Sequence, residues 1–200
     1  MTKKIGFFKR LKALNIEQKE LFAIALCQRM YPNYHLFSTV TEFGNPIVLD
    51  TTLNLLWQKQ YDKKLKLNTD LYLDKIDAVT PEPENFDMYG VYPALDAAVA
   101  LTQLLSALQS KVEEDITNIS KLSSSTVANY IEATCEQEFD NETQLDDYVF
   151  DHPAMVEERE VQSELLEVIE SNKITSDMIK ELRKEIVSSG ISNIGISIGE

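Results

Sequence analysis

Basic residues are scarce in this chain, and they are missing altogether from a long stretch. Nineteen Lys and Arg face 33 Asp and Glu, a formal net charge of -14. From Leu122 to Glu158 there is no Lys or Arg, while ten Asp or Glu fall in that span. General nucleic-acid binding needs clustered cations, so no nucleic-acid partner is expected. Cysteine is nearly absent. Cys27 and Cys135 stand far apart with no CxxC, which excludes a disulfide framework or zinc knuckle and predicts free buried thiols in a reducing cytosol. The two histidines, His35 and His152, stand alone, without the spacing of a zinc hydrolase. No GxxxxGK[ST], GxGxxG or GxSxG occurs. Nor does any apolar run reach the ~20 residues of a membrane span. The opening MTKKIGFFKRLKAL is broken by charge and is not expected to act as a signal peptide. The protein is therefore expected to be soluble and cytoplasmic, with no membrane partner.

What the chain does have is helical periodicity. Within Leu95–Leu108, ten of fourteen residues are apolar, the exceptions being Asp96, Thr102, Gln103 and Ser106. A helix apolar on most of its circumference must be surrounded by other helices. The reading is an all-α fold, residues 1–200 forming a single compact multi-helix domain around a central apolar helix at about residues 93–110, with an extended C-terminal tail. Leu101, Leu104, Leu105 and Leu108 are expected to be nearly inaccessible.

Around that helix the order is as follows. Residues 4–14 predict a short amphipathic helix with Ile5, Phe8, Leu11 and Leu14 as its stripe and Lys3, Lys4, Lys9, Arg10 and Lys12 as a basic face. It is read as packing on the acidic body. Asn15 and Gln18 make a capping box. Pro32 is expected to stop the helix they open, with Asn33 capping a short third helix that closes at Gly44. Asn45-Pro46 starts the next helix, and Asn68 or Thr69 the one after it. Thr80-Pro-Glu-Pro-Glu-Asn reads as an extended crossover. Helical spacing runs from Lys111 to about Phe139. Ser123–Ser125 is either a break or a run of small residues that lets helices approach, and continuity is preferred.

The acidic run EQEFDNETQLDDYVFD fails as an EF-hand: with Asp140 at position 1, position 6 is Leu145 where Gly is needed, and position 12 is Asp151 rather than Glu. It reads as a solvated connection. Pro153 opens a further helix, and Thr175 or Ser176 caps the last, which ends at Gly190. In the tail, Ile194, Ile196 and Ile198 alternate with Gly and Ser at a strand period. With Ile191 they make four isoleucines, which in water would be an association hazard, so Ser192–Ile198 is expected to be ordered in a groove between helices, either of its own chain or of a partner.

Two polar clusters are candidate sites. In the first, Asp87, Tyr89, Tyr92 and Asp96 surround the start of the central helix. Its dipole favours a carboxylate there, and a carboxylate pair with tyrosine donors could hold a ligand or cation or do acid–base work. The alternative is that they satisfy one another structurally. In the second, Arg29 lies among Tyr31, Asn33, Tyr34 and His35; it could bind an anion bidentately, though an ion pair with an acid across the core is the simpler account.

Several strings, taken together, resemble the YjaG-like family of small bacterial proteins, a domain of unknown function. They are Leu26-Cys27-Gln28-Arg29-Met30-Tyr31-Pro32-Asn33-Tyr34; Asn85-Phe86-Asp87 with Tyr89-Gly90-Val91-Tyr92-Pro93-Ala94 and Asp96-Ala97; Ser124-Ser125-Thr126-Val127-Ala128; and Ser192-Asn193-Ile194-Gly195-Ile196. The resemblance covers nearly the whole chain in order and implies an all-α fold. It carries no catalytic residue over.

These readings lead to an expected non-enzymatic helical protein acting through protein contacts, as a homo-oligomer with a dimer favoured and an unidentified protein partner, with no cofactor and no metal. The alternative is a small-ligand binder or enzyme at Asp87, Tyr89, Tyr92, Asp96 and Arg29. An acidic nucleic-acid mimic rests on net charge alone and is weaker.

Overall fold

The computed structural model describes residues 5–198. Among them are nine α-helices and one 3-10 turn, and no strand.

Helix α1, Phe7–Ala13, is anchored by Phe7, Leu11 and Leu14. Of the predicted stripe Leu11 and Leu14 are buried as expected, but Ile5 and Phe8 are exposed, and Phe7 takes the inward place and meets Phe22 at a centroid distance of 6.3 Å. Arg10 reaches Glu170 at 2.6 Å, while Lys9 and Lys12 face solvent. Lys3 and Lys4, with which the basic face was expected to begin, lie outside the described residues.

Helix α2, Ile16–Thr41, opens with the expected capping box: Asn15 accepts from the Gln18 backbone and Gln18 from that of Asn15. It does not stop at Pro32. A mid-helix proline removes one backbone hydrogen bond and costs about 3 kcal/mol. Here burial on both sides outweighs it: Leu21–Cys27, Met30, Asn33, Tyr34 and Phe37 are all buried. The expected third helix is therefore the second half of α2, and Asn33 is an interior residue rather than a cap. The chain leaves α2 through Glu42 and Gly44, both in the left-handed region. At Gly44 a Cβ would collide with the Tyr34 hydroxyl, which donates to the Val79 carbonyl at 2.6 Å.

Helix α3, Pro46–Tyr61, starts at Asn45-Pro46 as expected and buries Leu49, Leu53, Leu56 and Trp57. Helix α4, Thr69–Asp77, is capped by Asn68 and buries Ile76. The prolines of the crossover lead through a 3-10 turn, Pro83–Asn85, into α5, Val91–Ser110. Leu101, Leu104 and Leu105 on α5 are buried as expected; Leu108, one turn from the end, is only half-buried. By length and composition α5 could cross a membrane, but its apolar faces are spent on α2, α4 and α6. α5 shares the centre of the core with α2, and its alanines at 94, 97, 98, 100 and 107 let the neighbouring backbones come close.

Helix α6, Glu113–Thr134, runs unbroken through Ser123–Ser125 but ends before Phe139, where Glu136, Gln137 and Glu138 are exposed. The acidic run is not a plain connection. Asn141 accepts from the Gln144 backbone at 3.1 Å and opens α7, Glu142–Asp151, which packs Leu145, Tyr148 and Val149 on a small second cluster with Val127, Ile131 and Met155. Helix α8, Pro153–Ser171, follows Pro153, and α9, Ser176–Ser189, is capped by Thr175 and ends at Gly190. The tail is ordered against its own chain. It does not run straight as a strand: Gly195, at φ +80°, folds it back so that Ser192 and Ile196 share a backbone hydrogen bond of 2.8 Å and Ile191 bridges Ser197. Ile194 is buried, but Ile191 is exposed, so the isoleucines alone do not hold the tail.

Candidate functional site

The Asp87–Asp96 group is only partly assembled. Asp87 is exposed in the turn before α5 and has no side-chain hydrogen bond among the described residues. Tyr92 is half-exposed, its ring 5.8 Å from that of Tyr89, which in turn lies 6.2 Å from Tyr130 of α6. Asp96, in the second turn of α5, accepts from the Thr126 hydroxyl at 2.7 Å. Burial raises its carboxyl above the ordinary value, and the Thr126 hydrogen bond opposes the shift only in part. Burial, followed by the charge of Asp96, pushes Tyr89 up to about 12. Tyr89 and Asp96 therefore sense each other, Tyr92 stands at the rim, and Asp87 is apart.

Arg29 belongs to a different and denser arrangement. It reaches across from α2 to Glu158 of α8, a carboxylate with no exposed surface. The other Glu158 oxygen accepts from Ser123 and from Gln162, both at 2.6 Å. The two Gln162 N–H groups serve three acceptors, so one is shared: besides Glu158 they face the Ser120 carbonyl and the Ser124 hydroxyl, each at 3.1 Å, and the Gln162 oxygen accepts from the Ser120 hydroxyl. Asn193 of the tail donates to Ser123 and accepts from Asn33 at 2.9 Å. A buried carboxylate is tolerated when its lone pairs are satisfied, and here α2, α6 and α8 itself supply donors to both oxygens of Glu158, while Arg29 keeps its edge on the α8–α9 groove and the Asn33 side-chain oxygen stays buried without a partner.

Sequence reasoning singled out Arg29 but missed Glu158 and Gln162. They lie within the strongly acidic part of the chain, where one Glu looks like another. The available signal was their spacing: Glu158 and Gln162 stand one turn apart, as do Ser120 and Ser124, so each pair lies on one helix face. Among the described residues no group of three or more His, Cys, Asp or Glu could hold a metal ion.

Because Asn193 holds the tail through both ends of its amide, Asn193→Ala is expected to cost about 2–3 kcal/mol in urea unfolding, as it leaves the buried Asn33 amide nitrogen without its acceptor and detaches the tail from Ser123. A cost under about 0.5 kcal/mol would place the tail's anchorage elsewhere.

The fold and this network describe an all-helical protein whose second, sixth and eighth helices and tail are tied together by one buried polar system. The chain belongs to the family described as "Protein of unknown function (DUF416)", which matches residues 6–197. It is 36% identical over 189 residues to a protein of Escherichia coli strain K12 named "Uncharacterized protein YjaG", covering 94% of both chains. It is 32% identical over 191 residues to an "Uncharacterized protein" of Haemophilus influenzae, covering 94% of this chain and 95% of that one. A crystal structure of a DUF416 family protein from Shewanella baltica superposes with a TM-score of 0.93 at 62% identity, covering 98% of this chain and 100% of that one.

Proposed function

We propose that this is a non-enzymatic, cytoplasmic protein of one domain that acts through protein contacts, first of all with a second copy of itself. One observation carries the reading: a groove of about 330 Å³ between α8 and α9, floored by Leu165, Leu182 and Ile186 and edged by Glu157, Glu164 and Glu185, with Arg29, already paired to Glu158, also in its lining. Val168, beside it, is exposed. An apolar floor with an acidic rim suits a basic amphipathic partner segment. The chain presents such a surface on the outer side of α1, where Phe8, Lys9 and Lys12 are exposed while Phe7, Leu11 and Leu14 stay packed on its own core, so two copies could make the contact reciprocally about a two-fold axis. Light scattering on the full chain at micromolar concentration is expected to give a dimer mass that falls to monomer in Val168→Glu and with rising salt. A monomer at every concentration and salt would end the self-association reading.

A second reading, a small-ligand or catalytic site, is favoured by the Asp96 carboxyl beside Tyr89. Its sign is testable. A carboxylate whose folded pKa is raised contributes stability that is fully present below its unfolded value, near 3.8, and is lost as pH rises through the folded value. Asp96→Asn should thus melt at the same temperature as the parent, or a few degrees higher, near pH 7, with the advantage shrinking as pH falls toward 4. A lower midpoint that does not change with pH would make Asp96 a structural acceptor for Thr126 and remove it as a site.

A further inference from the structure

A second pocket, sharing no residue with the Asp87–Asp96 group or with the α8–α9 groove, lies between α1, α6, α7 and α8, with a volume of about 380 Å³. That is within the ~300–1,000 Å³ typical of small-molecule sites. Its walls are Phe7, Phe8, Phe150 and Met155. Phe8 is 46% and Phe150 60% exposed, apolar surface that the chain leaves uncovered.

Two cations join this apolar wall. Lys121 and Arg159 are the residues that bracket the long stretch without any Lys or Arg, and both line the pocket. In a chain of net charge -14, neither makes an ion pair among the described residues. Among the same residues the Lys121 ammonium has a single hydrogen-bond partner, the Asn118 amide oxygen at 3.2 Å. Arg159 is held in place by its pocket wall: its guanidinium stacks 3.8 Å from the Phe150 ring centroid, and Nη1 donates to the Phe150 carbonyl at 2.7 Å. Its other N–H groups have no partner among the described residues. A guanidinium fixed in this way loses little freedom when it takes up an anion. Ser124, also in the lining, accepts from Gln162 and keeps its own hydroxyl proton for a further acceptor.

We infer that this pocket binds a small amphipathic monoanion, an apolar body carrying one carboxylate. The body lies among Phe7, Phe8, Phe150 and Met155, and the carboxylate meets Lys121, Arg159 and Ser124. A cationic head would face two like charges there, and a neutral one would leave both cations unanswered.

The probes are decanoate, decan-1-ol and decylamine, one chain length with three head groups, titrated into the full protein by calorimetry and by thermal unfolding. Decanoate is expected to bind and raise the unfolding midpoint, with the alcohol and the amine binding more weakly. Lys121→Gln should weaken decanoate about tenfold and narrow its advantage over the alcohol, since a charge-assisted contact is lost. Ser163→Trp, at an exposed position in the lining, should fill the pocket and abolish binding. The inference is overturned if the alcohol or amine binds as tightly as decanoate, if decanoate leaves the midpoint unchanged or lowers it, or if Ser163→Trp binds like the parent. Should Ser163→Trp fail to fold, the head-group preference in the parent and in Lys121→Gln decides the matter alone.

Discussion

Glu158→Ala is expected to cost about 3–5 kcal/mol, because it strands a charge in the interior. Arg29 would keep its guanidinium, largely buried, with no counter-ion, and Ser123 and Gln162 would each lose their short acceptor. That is a large share of the ~5–15 kcal/mol by which a domain is stable. Urea unfolding measures it directly. The paired variant Arg29→Met with Glu158→Leu separates two accounts of the loss. If the penalty comes from the orphaned charge, the double variant recovers at least half of it, since an apolar pair of similar volume can replace a buried ion pair. A single-variant cost under about 1 kcal/mol would mean that water reaches Arg29 once the carboxylate is gone.

Leu104→Ala should cost about 2–5 kcal/mol and fall in the upper half of that range. The residue has no exposed surface, and it sits on the helix that packs against α2, α4 and α6. Alanines on either side already bring those backbones close, so the surroundings have little slack with which to collapse into the cavity. Leu108→Ala makes the internal control. As a half-buried residue near the end of α5, it should lose clearly less. Equal losses at the two positions, or a loss under about 1 kcal/mol at Leu104, would contradict the described placement of the helix.

The parts of the fold that could be read in advance are those governed by local chemistry. Asn15 with Gln18, Asn45 with Pro46, Asn68 and Thr175 each satisfy backbone donors within a few residues, so their effect is independent of the rest of the molecule. Where the expectation failed, distant packing decided. Pro32 is a helix breaker by local rules, yet buried neighbours on both sides carry α2 past it. The segment around Asp146 looked like solvated connection because charge hid the spacing of Leu145, Tyr148 and Val149, three residues that suffice once α6 and α8 offer a surface. The candidate site divides in the same way. Arg29 stood out in a polar and aromatic cluster with Tyr31, Asn33, Tyr34 and His35, whereas Glu158 became identifiable only when the fold singled out one carboxylate from 33 acids.

The polar system that joins α2, α6, α8 and the tail also sets an order in time. Arg29 precedes Glu158 by 129 residues, and Asn33 precedes Asn193 by 160. At about 5–20 residues per second of synthesis, Arg29 waits on the order of 10 s for its counter-ion to be made. Over that interval α2 and α5 can already meet through their apolar faces, with the arginine still reaching for water. Asn193 is made later still, and only then can the tail close on Asn33 and Ser123. A nascent chain stalled before α8 should therefore be compact yet open to proteases near Arg29, and a chain interrupted ahead of Asn193 would have its core formed and this seam open.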